Sequence, residues 1–289
     1  MKKNIILGSF LIASSLLFFS ECKKKTEVDD ETQTVVDNAI CEQQFITIAP
    51  TVNNKGTGSP KAQGFKISSG CDSVAWIFPN TTSVPNGSIV PDTLTDANGA
   101  YTFSTTPTFT LDYSSTSCAD KDGITKKGKM YITSTHKWSV VKNISPAITH
   151  TTTITFDNYM VDGIKYEGTV TLIKTGNKVT TKVANGHCKT NNWDIYYSTE
   201  GKTVELLSDG SIKVWGDSKG TNREGRTFTT SISENTAIIK KPTCKFISSG
   251  AISVTPDGFK TRTVDFGSGA CDDDATFTVN GQTVSFKLK

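Results

Sequence analysis

The chain has 289 residues, 35% hydrophobic, 9% aromatic and 20% charged, which is enough apolar material for one large or two smaller folded domains and too much for disorder throughout. Lys and Arg number 31 against 28 Asp and Glu, a formal charge of +3. That falls short of the clustered basicity of a nucleic-acid binder, so no polyanion partner is implied.

Lys2 and Lys3 precede an apolar run from Ile5 to Phe19, the pattern of a secretory signal peptide. The run is shorter than the ~20 residues a helix needs to cross the hydrocarbon core. Lys23, Lys24 and Lys25 stand directly after it, where they oppose retention as an anchor with its N-terminus inside. An ordinary export peptidase needs small residues before its cut and meets Phe19, Ser20 and Glu21 instead.

The run Phe19-Ser20-Glu21-Cys22-Lys23-Lys24-Lys25, followed by Asp29-Asp30-Glu31, resembles the start of Bacteroidota-type lipoproteins. The resemblance implies that residues 1–21 are a lipoprotein signal peptide and that Cys22 is lipidated and becomes the first residue. It also implies that Lys25 to Glu31 direct export to the outer cell surface rather than the periplasmic face. Glu21 departs from the small residue usual before the Cys. Lys23 to Glu31 contains one apolar residue, Val28, and so also reads simply as a solvated tether.

Residues 22–40 are expected to form the lipidated tether and one short helix, because Val35, Val36, Ala39 and Ile40 recur at helical spacing within Asp29 to Gln44. After Phe45 that period disappears, and residues 41–289 read as a β-rich domain. Asn53 to Gly64, Pro79 to Gly99 and Ser139 to Pro146 are loop-like in composition. Elsewhere short alternating runs rich in Thr, Val, Ile, Phe and Tyr are separated by turn dipeptides. Asp162-Gly163, Asp209-Gly210 and Asn280-Gly281 each signal a two-residue hairpin, since such loops need positive φ, which Asn, Asp and Gly tolerate. Gly176-Asn177 and Pro256-Asp257-Gly258 look like further connections.

In the last strand Val284, Phe286 and Leu288 share one face, expected to be core. Lys- and Thr-rich segments such as Lys178 to Lys182 would blunt exposed sheet edges. The segment from Thr110 to Cys118 aligns without gaps to Thr263 to Cys271, with Asp112 and Asp265 each six residues before a cysteine. The expected fold is therefore all-β, a largely antiparallel meander or sandwich. It has two related β units meeting near residue 175 and one short N-terminal helix.

This pattern, with Phe156-Asp157-Asn158-Tyr159, Gly163-Ile164-Lys165-Tyr166-Glu167-Gly168, Arg223-Glu224-Gly225-Arg226-Thr227-Phe228 and Val264-Asp265-Phe266-Gly267, resembles a family of uncharacterised Bacteroidota-type cell-envelope lipoproteins from about Thr34 onward. The resemblance implies a location and a fold class. It carries no known activity.

Setting Cys22 aside leaves Cys41, Cys71, Cys118, Cys188, Cys244 and Cys271, an even number suited to disulfides in an oxidising compartment. None stands in a Cys-x-x-Cys or Cys-x-x-His spacing, so neither a closed zinc site nor a redox motif is supported. Cys244 with Cys271 and Cys71 with Cys118 are the preferred pairs, because each brackets one hairpin-like segment. Acidic turns offer oxygen ligands for calcium, with Asp112, Asp120 and Asp122 in one copy of the repeat and Asp265, Asp272, Asp273 and Asp274 in the other. The same residues make good turns, and Tyr131 stands where an EF-hand starting at Asp120 would need its closing Glu.

His136, His150 and His187 are the only histidines, and no Gly-x-Ser-x-Gly elbow accompanies them. His187 and Cys188 are adjacent, which on a strand sends them to opposite faces. Asp157, Asp162, Glu167, Glu205 and Glu224 could furnish a carboxylate pair, but nothing singles any of them out. Among Trp76, Trp138, Trp193 and Trp215, the polar setting of Trp193 makes it the candidate ligand contact. Asp72-Ser73-Val74 and Asp92-Thr93-Leu94 resemble a bacterial O-glycosylation motif.

The expected function is a non-enzymatic binding or accessory protein at the outer membrane. Its partner would be a glycan, a peptide or an outer-membrane protein, and no cofactor other than calcium is expected. The alternative is a cell-surface hydrolase acting on glycan.

Overall fold

A computed structural model describes the backbone of residues 29, 31–56, 66–69, 72–77, 93–97, 100–105, 108–113, 118–119, 123–141 and 147–288, with side chains for 29, 31–52, 108–113, 119, 123–134 and 150–288. The expected signal peptide, Cys22, Cys71, Asp120 and Asp122, and the side chains of Trp76, Trp138, Cys118 and both Asp-Ser/Thr-aliphatic motifs, lie outside these. So does the Cys71–Cys118 pairing.

Among the described residues one α-helix comes first, α1 (Gln33–Gly56). Eighteen strands follow: β1 (Lys66–Ser69), β2 (Asp72–Ile77), β3 (Thr93–Ala97), β4 (Ala100–Thr105), β5 (Thr108–Asp112), β6 (Cys118–Ala119), β7 (Thr125–Val141), β8 (Ala147–Val161) and β9 (Ile164–Thr175). The series continues with β10 (Lys178–Lys189), β11 (Asp194–Leu206), β12 (Ile212–Thr221), β13 (Thr227–Ile232), β14 (Ile238–Lys240), β15 (Ser249–Pro256), β16 (Arg262–Ser268), β17 (Asp274–Val279) and β18 (Gln282–Lys287). All belong to one sheet whose described pairings are antiparallel. The fold is thus all-β with one N-terminal helix, and of the two expected architectures it is the meander. Helix and strands fall in one compact unit, Glu31–Lys289.

The helix is longer than its sequence period suggests. It runs through Cys41 and Phe45 to Gly56, so the expected boundary at residue 41 falls inside it. The reason is burial: Val35, Asp37, Cys41, Glu42, Phe45, Ile46, Ile48, Ala49 and Val52 are all buried, leaving almost no wet side to mark a period. Glu31 caps its start, Oε1 accepting from the Thr34 N–H at 2.9 Å and its hydroxyl at 2.7 Å. Pro50 has no N–H to return to the helix, and Thr47 and Thr51 hydroxyls bond back to the carbonyls of Gln44 and Thr47 at 2.7 Å each. Among the described residues no helix is long and apolar enough to cross a membrane.

Side chains from β8 through β16 reach α1, with Gln44 bonded to Tyr159, Phe45 against Tyr166 and Tyr197, and Arg262 on Glu31. Laid flat, the strands from β8 to β16 would span about 34 Å at the usual strand spacing, against about 10–12 Å for a helix. The sheet must therefore curl around the helix.

Bulges help it curl, because an extra residue bends a strand and increases its twist. The β8–β9 register shifts between Thr155 and Met160, β10–β9 between Ala184 and His187, and β11–β12 between Ser198 and Thr203. Each shift also changes which residues face inward. In β8 the buried set passes from Ile154 to Tyr159 and Val161; in β10 from Val179, Thr181 and Val183 to Gly186 and Cys188; in β11 from Ile195 and Tyr197 to Lys202 and Val204. Unbroken alternation would have turned Cys188 and Lys202 away from the helix.

The helix is fastened through these inward residues. Cys41 is disulfide-bonded to Cys188. Glu42 Oε2 accepts from Lys202 Nζ at 2.5 Å and from the Tyr197 hydroxyl at 3.0 Å, all three groups buried. Burial pushes the Lys202 ammonium below its ordinary pKa, opposed by the charge of Glu42. Asp37 accepts from the Arg223 N–H and Nε, both at 2.8 Å, and Asn222 Nδ2 donates to Thr34 Oγ1 at 3.0 Å. Fully buried Arg262 donates to the Glu31 carbonyl at 2.8 Å. Without such partners these charges would be prohibitive in an apolar interior.

Several turns match expectation. Asp162 and Asn280 have φ 49° and 53° and are followed by Gly163 and Gly281 at 81° and 76°, the left-handed pair of a tight hairpin. Asp209-Gly210 differs. Residues 207–211 form a longer loop closed by Leu207 N–H to Ser211 O at 2.9 Å, with Asp209 Oδ1 accepting from the Ser211 N–H at 2.9 Å, so the Asp side chain itself organises the turn. Among the loop-like segments, 53–56 close the helix and 93–97 form β3.

Lys178 to Lys182 do not guard an edge, since β10 is paired on both sides. One edge is β18, paired only to β17 among the described strands. There Val284 is exposed rather than core, while Leu288 is buried.

Candidate functional site

The curled sheet meets itself at a seam. The turn after β8 and the connection between β14 and β15 are clasped by Asp162 and Lys245, 2.8 Å apart. Inside the seam lies a cavity of about 230 Å³. Its floor is one helix face, Ile40, Gln43, Gln44, Thr47 and Thr51, which share a side because they recur at three- and four-residue spacing.

One wall comes from the start of β7 and the β8–β9 hairpin: Ile124, Lys126, Tyr159, Val161, Ile164 and Tyr166. The bulge in β8 is what turns Tyr159 and Val161 inward. Tyr159 belongs to an aromatic chain, with ring centroids 5.7 Å from Tyr113, 5.6 Å from Phe156 and 6.3 Å from Tyr166. Its hydroxyl accepts from Gln44 Nε2 at 3.3 Å. Burial, then the neighbouring Tyr159 and Asp162, pushes the Tyr166 phenol far up, so it stays neutral.

The other wall is Ile212 with Lys240, Lys241, Pro242, Cys244 and Lys245. One disulfide and three hydrogen bonds shape this connection. Cys244 is bonded to Cys271 as expected from the sequence. Lys240 Nζ donates to the carbonyls of Cys244 and Lys245, and Lys241 Nζ donates to the Gly269 carbonyl at 2.5 Å.

The charge around the cavity is one-sided. Lys126, Lys240, Lys241 and Lys245 face a single lining carboxylate, Asp162. Burial would raise the Asp162 pKa. Hydrogen bonds from Lys245 and from the Thr125 N–H, at 2.8 Å, outweigh it and hold the carboxyl below its ordinary range. That acid is occupied by Lys245 and the Thr125 N–H.

Asp162 and Cys244 line the cavity, and the residues singled out in the sequence as ligand or metal contacts lie elsewhere where they are described. Trp193 is half-buried against the core with the Arg223 guanidinium 4.6 Å from its ring centroid, so one face is already covered. Asp112 pairs with Lys129 at 3.2 Å. Asp265 and Asp272 accept from the N–H groups two residues on, at 2.8 and 3.0 Å. Asp273 and Asp274 share Lys287 at 2.6 and 2.7 Å. Among the described residues no three His, Cys, Asp or Glu side chains converge as a metal site. His187 faces out to Asp194 at 2.8 Å while Cys188 is buried, the opposite-face arrangement expected of a strand.

Sequence reasoning missed the cavity. Its one local signal was the basic run Lys240-Lys241-Pro242-Thr243-Cys244-Lys245. Lys126, Tyr159 and Thr47 come from distant segments, and nothing local ties them to it. No protein-family model, no curated protein and no solved structure matches the chain.

Proposed function

We propose that the chain is a cell-envelope lipoprotein, anchored in the outer membrane by acyl chains on Cys22 and facing the cell surface, that acts as a non-enzymatic binding protein for a small ligand. The seam cavity carries the binding half of this reading: about 230 Å³, lined by aliphatic and aromatic side chains together with Gln43, Gln44, Thr47, Thr51 and four lysines. It is smaller than the ~300–1,000 Å³ of pockets for drug-sized molecules, so its ligand is small. The pattern Lys2 to Phe19 before Cys22 supports the anchor, and more than one acyl chain would be needed to hold. Hydrolysis of a glycan by a carboxylate pair has less support, because the lining offers only Asp162 and that acid is held by Lys245.

A second reading places a glycan or an outer-membrane protein on the outer sheet face at Tyr131. It is 45% exposed and stands in register between Thr110 and Thr155. Tyr131→Ala would abolish that docking without affecting the cavity.

The test is extraction of the protein from its own membranes in mild detergent, followed by intact-mass and native mass spectrometry. The expected result is an acylated Cys22 and a small bound mass that is lost in Thr47→Trp, whose side chain fills the cavity. An unacylated Cys22 overturns the anchor. A wild-type protein without bound mass, or a mass retained by Thr47→Trp, overturns the binding site.

A further inference from the structure

We infer that the chain binds a neutral saccharide at a second site, an open groove of about 750 Å³ on the outer face of the sheet, separate from the seam cavity. A bulge builds one rim. Between Ser198 and Thr203 four residues of β11 stand against three of β12, and the extra residue bends the strand. Glu200 and Gly201 are exposed on that rim. Thr199 ties it down, its hydroxyl donating to the Asp217 carbonyl at 2.7 Å and accepting from the Gly201 N–H at 3.2 Å. The floor is two rows in strand register, Ser198, Lys219, Thr229 and Thr255 in one, and Asp217, Ser231 and Ser253 in the other. Thr229 and Ser231 are exposed between the inward Phe228, Thr230 and Ile232, which sets both rows on the outer face.

Ser198 is the observation that points to a ligand. It lines the groove and is only 4% exposed, and its hydroxyl has no hydrogen-bond partner among the described residues. A buried hydroxyl left unpaired is costly, and a polar group seated in the groove supplies the partner. The rest of the lining decides the class of that ligand. Hydroxyl side chains come from four strands, and two carboxylates, Glu200 and Asp217, stand with one ammonium, Lys219. Sugar hydroxyls donate to carboxylates and both donate to and accept from Ser and Thr. The bonds to carboxylate are charge-assisted, and the C–H faces of the ring lie against threonine methyl groups. An anion would be opposed by the excess of carboxylate, and an apolar body would strand the hydroxyls. Among the described residues no three His, Cys, Asp or Glu converge to hold a metal. The groove falls within the ~300–1,000 Å³ of pockets for drug-sized molecules, which suits a disaccharide.

The test is titration calorimetry of the full chain in mild detergent with four neutral disaccharides, maltose, cellobiose, lactose and N,N′-diacetylchitobiose. Glucuronate, hexan-1-ol and calcium chloride probe the other classes. At least one neutral disaccharide is expected to bind with a Kd of about 1 mM or tighter, and more tightly than all three of the other probes. Glu200→Gln with Asp217→Asn is expected to weaken it at least about tenfold, the return from one charge-assisted contact. Ser198→Ala is expected to weaken it about fivefold without lowering the melting temperature, because it also removes the unpaired hydroxyl. Ser231→Trp, which fills the groove from an exposed position, is expected to abolish binding.

No binding by any of the four disaccharides overturns the proposal. Glucuronate, hexan-1-ol or calcium binding more tightly than all of them overturns the ligand class. Disaccharide binding retained by Ser231→Trp, or lost in Thr47→Trp or Tyr131→Ala, overturns the groove as its site. Those last two variants keep the groove and the seam cavity distinguishable, because each blocks a different surface. Should the carboxylate pair variant fail to fold, Ser231→Trp carries the decision, since that side chain points away from the core.

Discussion

The two halves of α1 solve opposite problems. The first half carries Asp37 and Glu42 into the interior and is fastened by Arg223, Lys202, Arg262 and the Cys41–Cys188 bond. The second half, from Phe45 onward, carries no charge until Lys55. It packs by apolar contact through Phe45, Ile46, Ile48, Ala49 and Val52, and its Thr47 and Thr51 line the cavity together with Ile40, Gln43 and Gln44 of the first half. Directional bonds fix position and tolerate little change. Apolar contact is non-directional, so that half can border a cavity without breaking directional bonds.

The sharpest way to break this comparison is to strip one partner from the latched half. Glu42→Ala leaves Lys202 buried and uncompensated, and is expected to cost about 3–5 kcal/mol in urea unfolding. Glu42→Leu with Lys202→Met is expected to recover most of that. Next comes Cys41→Ser with Cys188→Ser, expected to cost about 2–4 kcal/mol. Removing Cys244–Cys271, whose sequence separation is 27 rather than 147, should cost about 1.5 kcal/mol less on chain entropy alone.

Trp193→Ala, on the latched side, is expected to cost about 1–2 kcal/mol through loss of the Arg223 stacking and partial burial. Thr47→Ala, in the cavity half, should change stability by less than about 0.5 kcal/mol. A cost for Thr47→Ala equal to that of Glu42→Ala would erase the distinction between the halves.

The smallest effect concerns pH. Asp162 has a folded pKa held below its ordinary value. Between those two values the unfolded chain binds more protons, so the stability from the Asp162–Lys245 clasp is full above the ordinary carboxylate range and is lost as pH falls through the folded pKa. Asp162→Asn should flatten that acid limb, which thermal melts between pH 2 and 6 would record. The latch at Glu42 and Lys202 should be untouched by the substitution.

Much of the sheet was legible locally. Asp162-Gly163 and Asn280-Gly281 turn as their residue types require, because a tight hairpin admits little else at positive φ. Phe228, Thr230 and Ile232 alternate inward along β13 as their pattern suggests. Asp209-Gly210 was read too simply, since the Asp carboxylate spends itself on Ser211 and lengthens the loop. The helix beyond Gln44 was hidden because a segment buried all round has no wet face to report. The acidic turns promised ligands but use their oxygens on nearby N–H groups and lysines.

What the sequence determined by itself is therefore the local grammar: strand-forming composition, tight turns, and the presence of six cysteines besides Cys22. What only the tertiary structure decided is which side of each strand meets the helix. Sequence alternation can be followed along a strand only as far as the next bulge. The bulges in β8, β10 and β11 reverse it at Tyr159, Cys188 and Lys202, and these residues build the cavity wall, the disulfide and the buried ion pair. A bulge depends on how two strands pair and bend around what they enclose, which no single strand encodes.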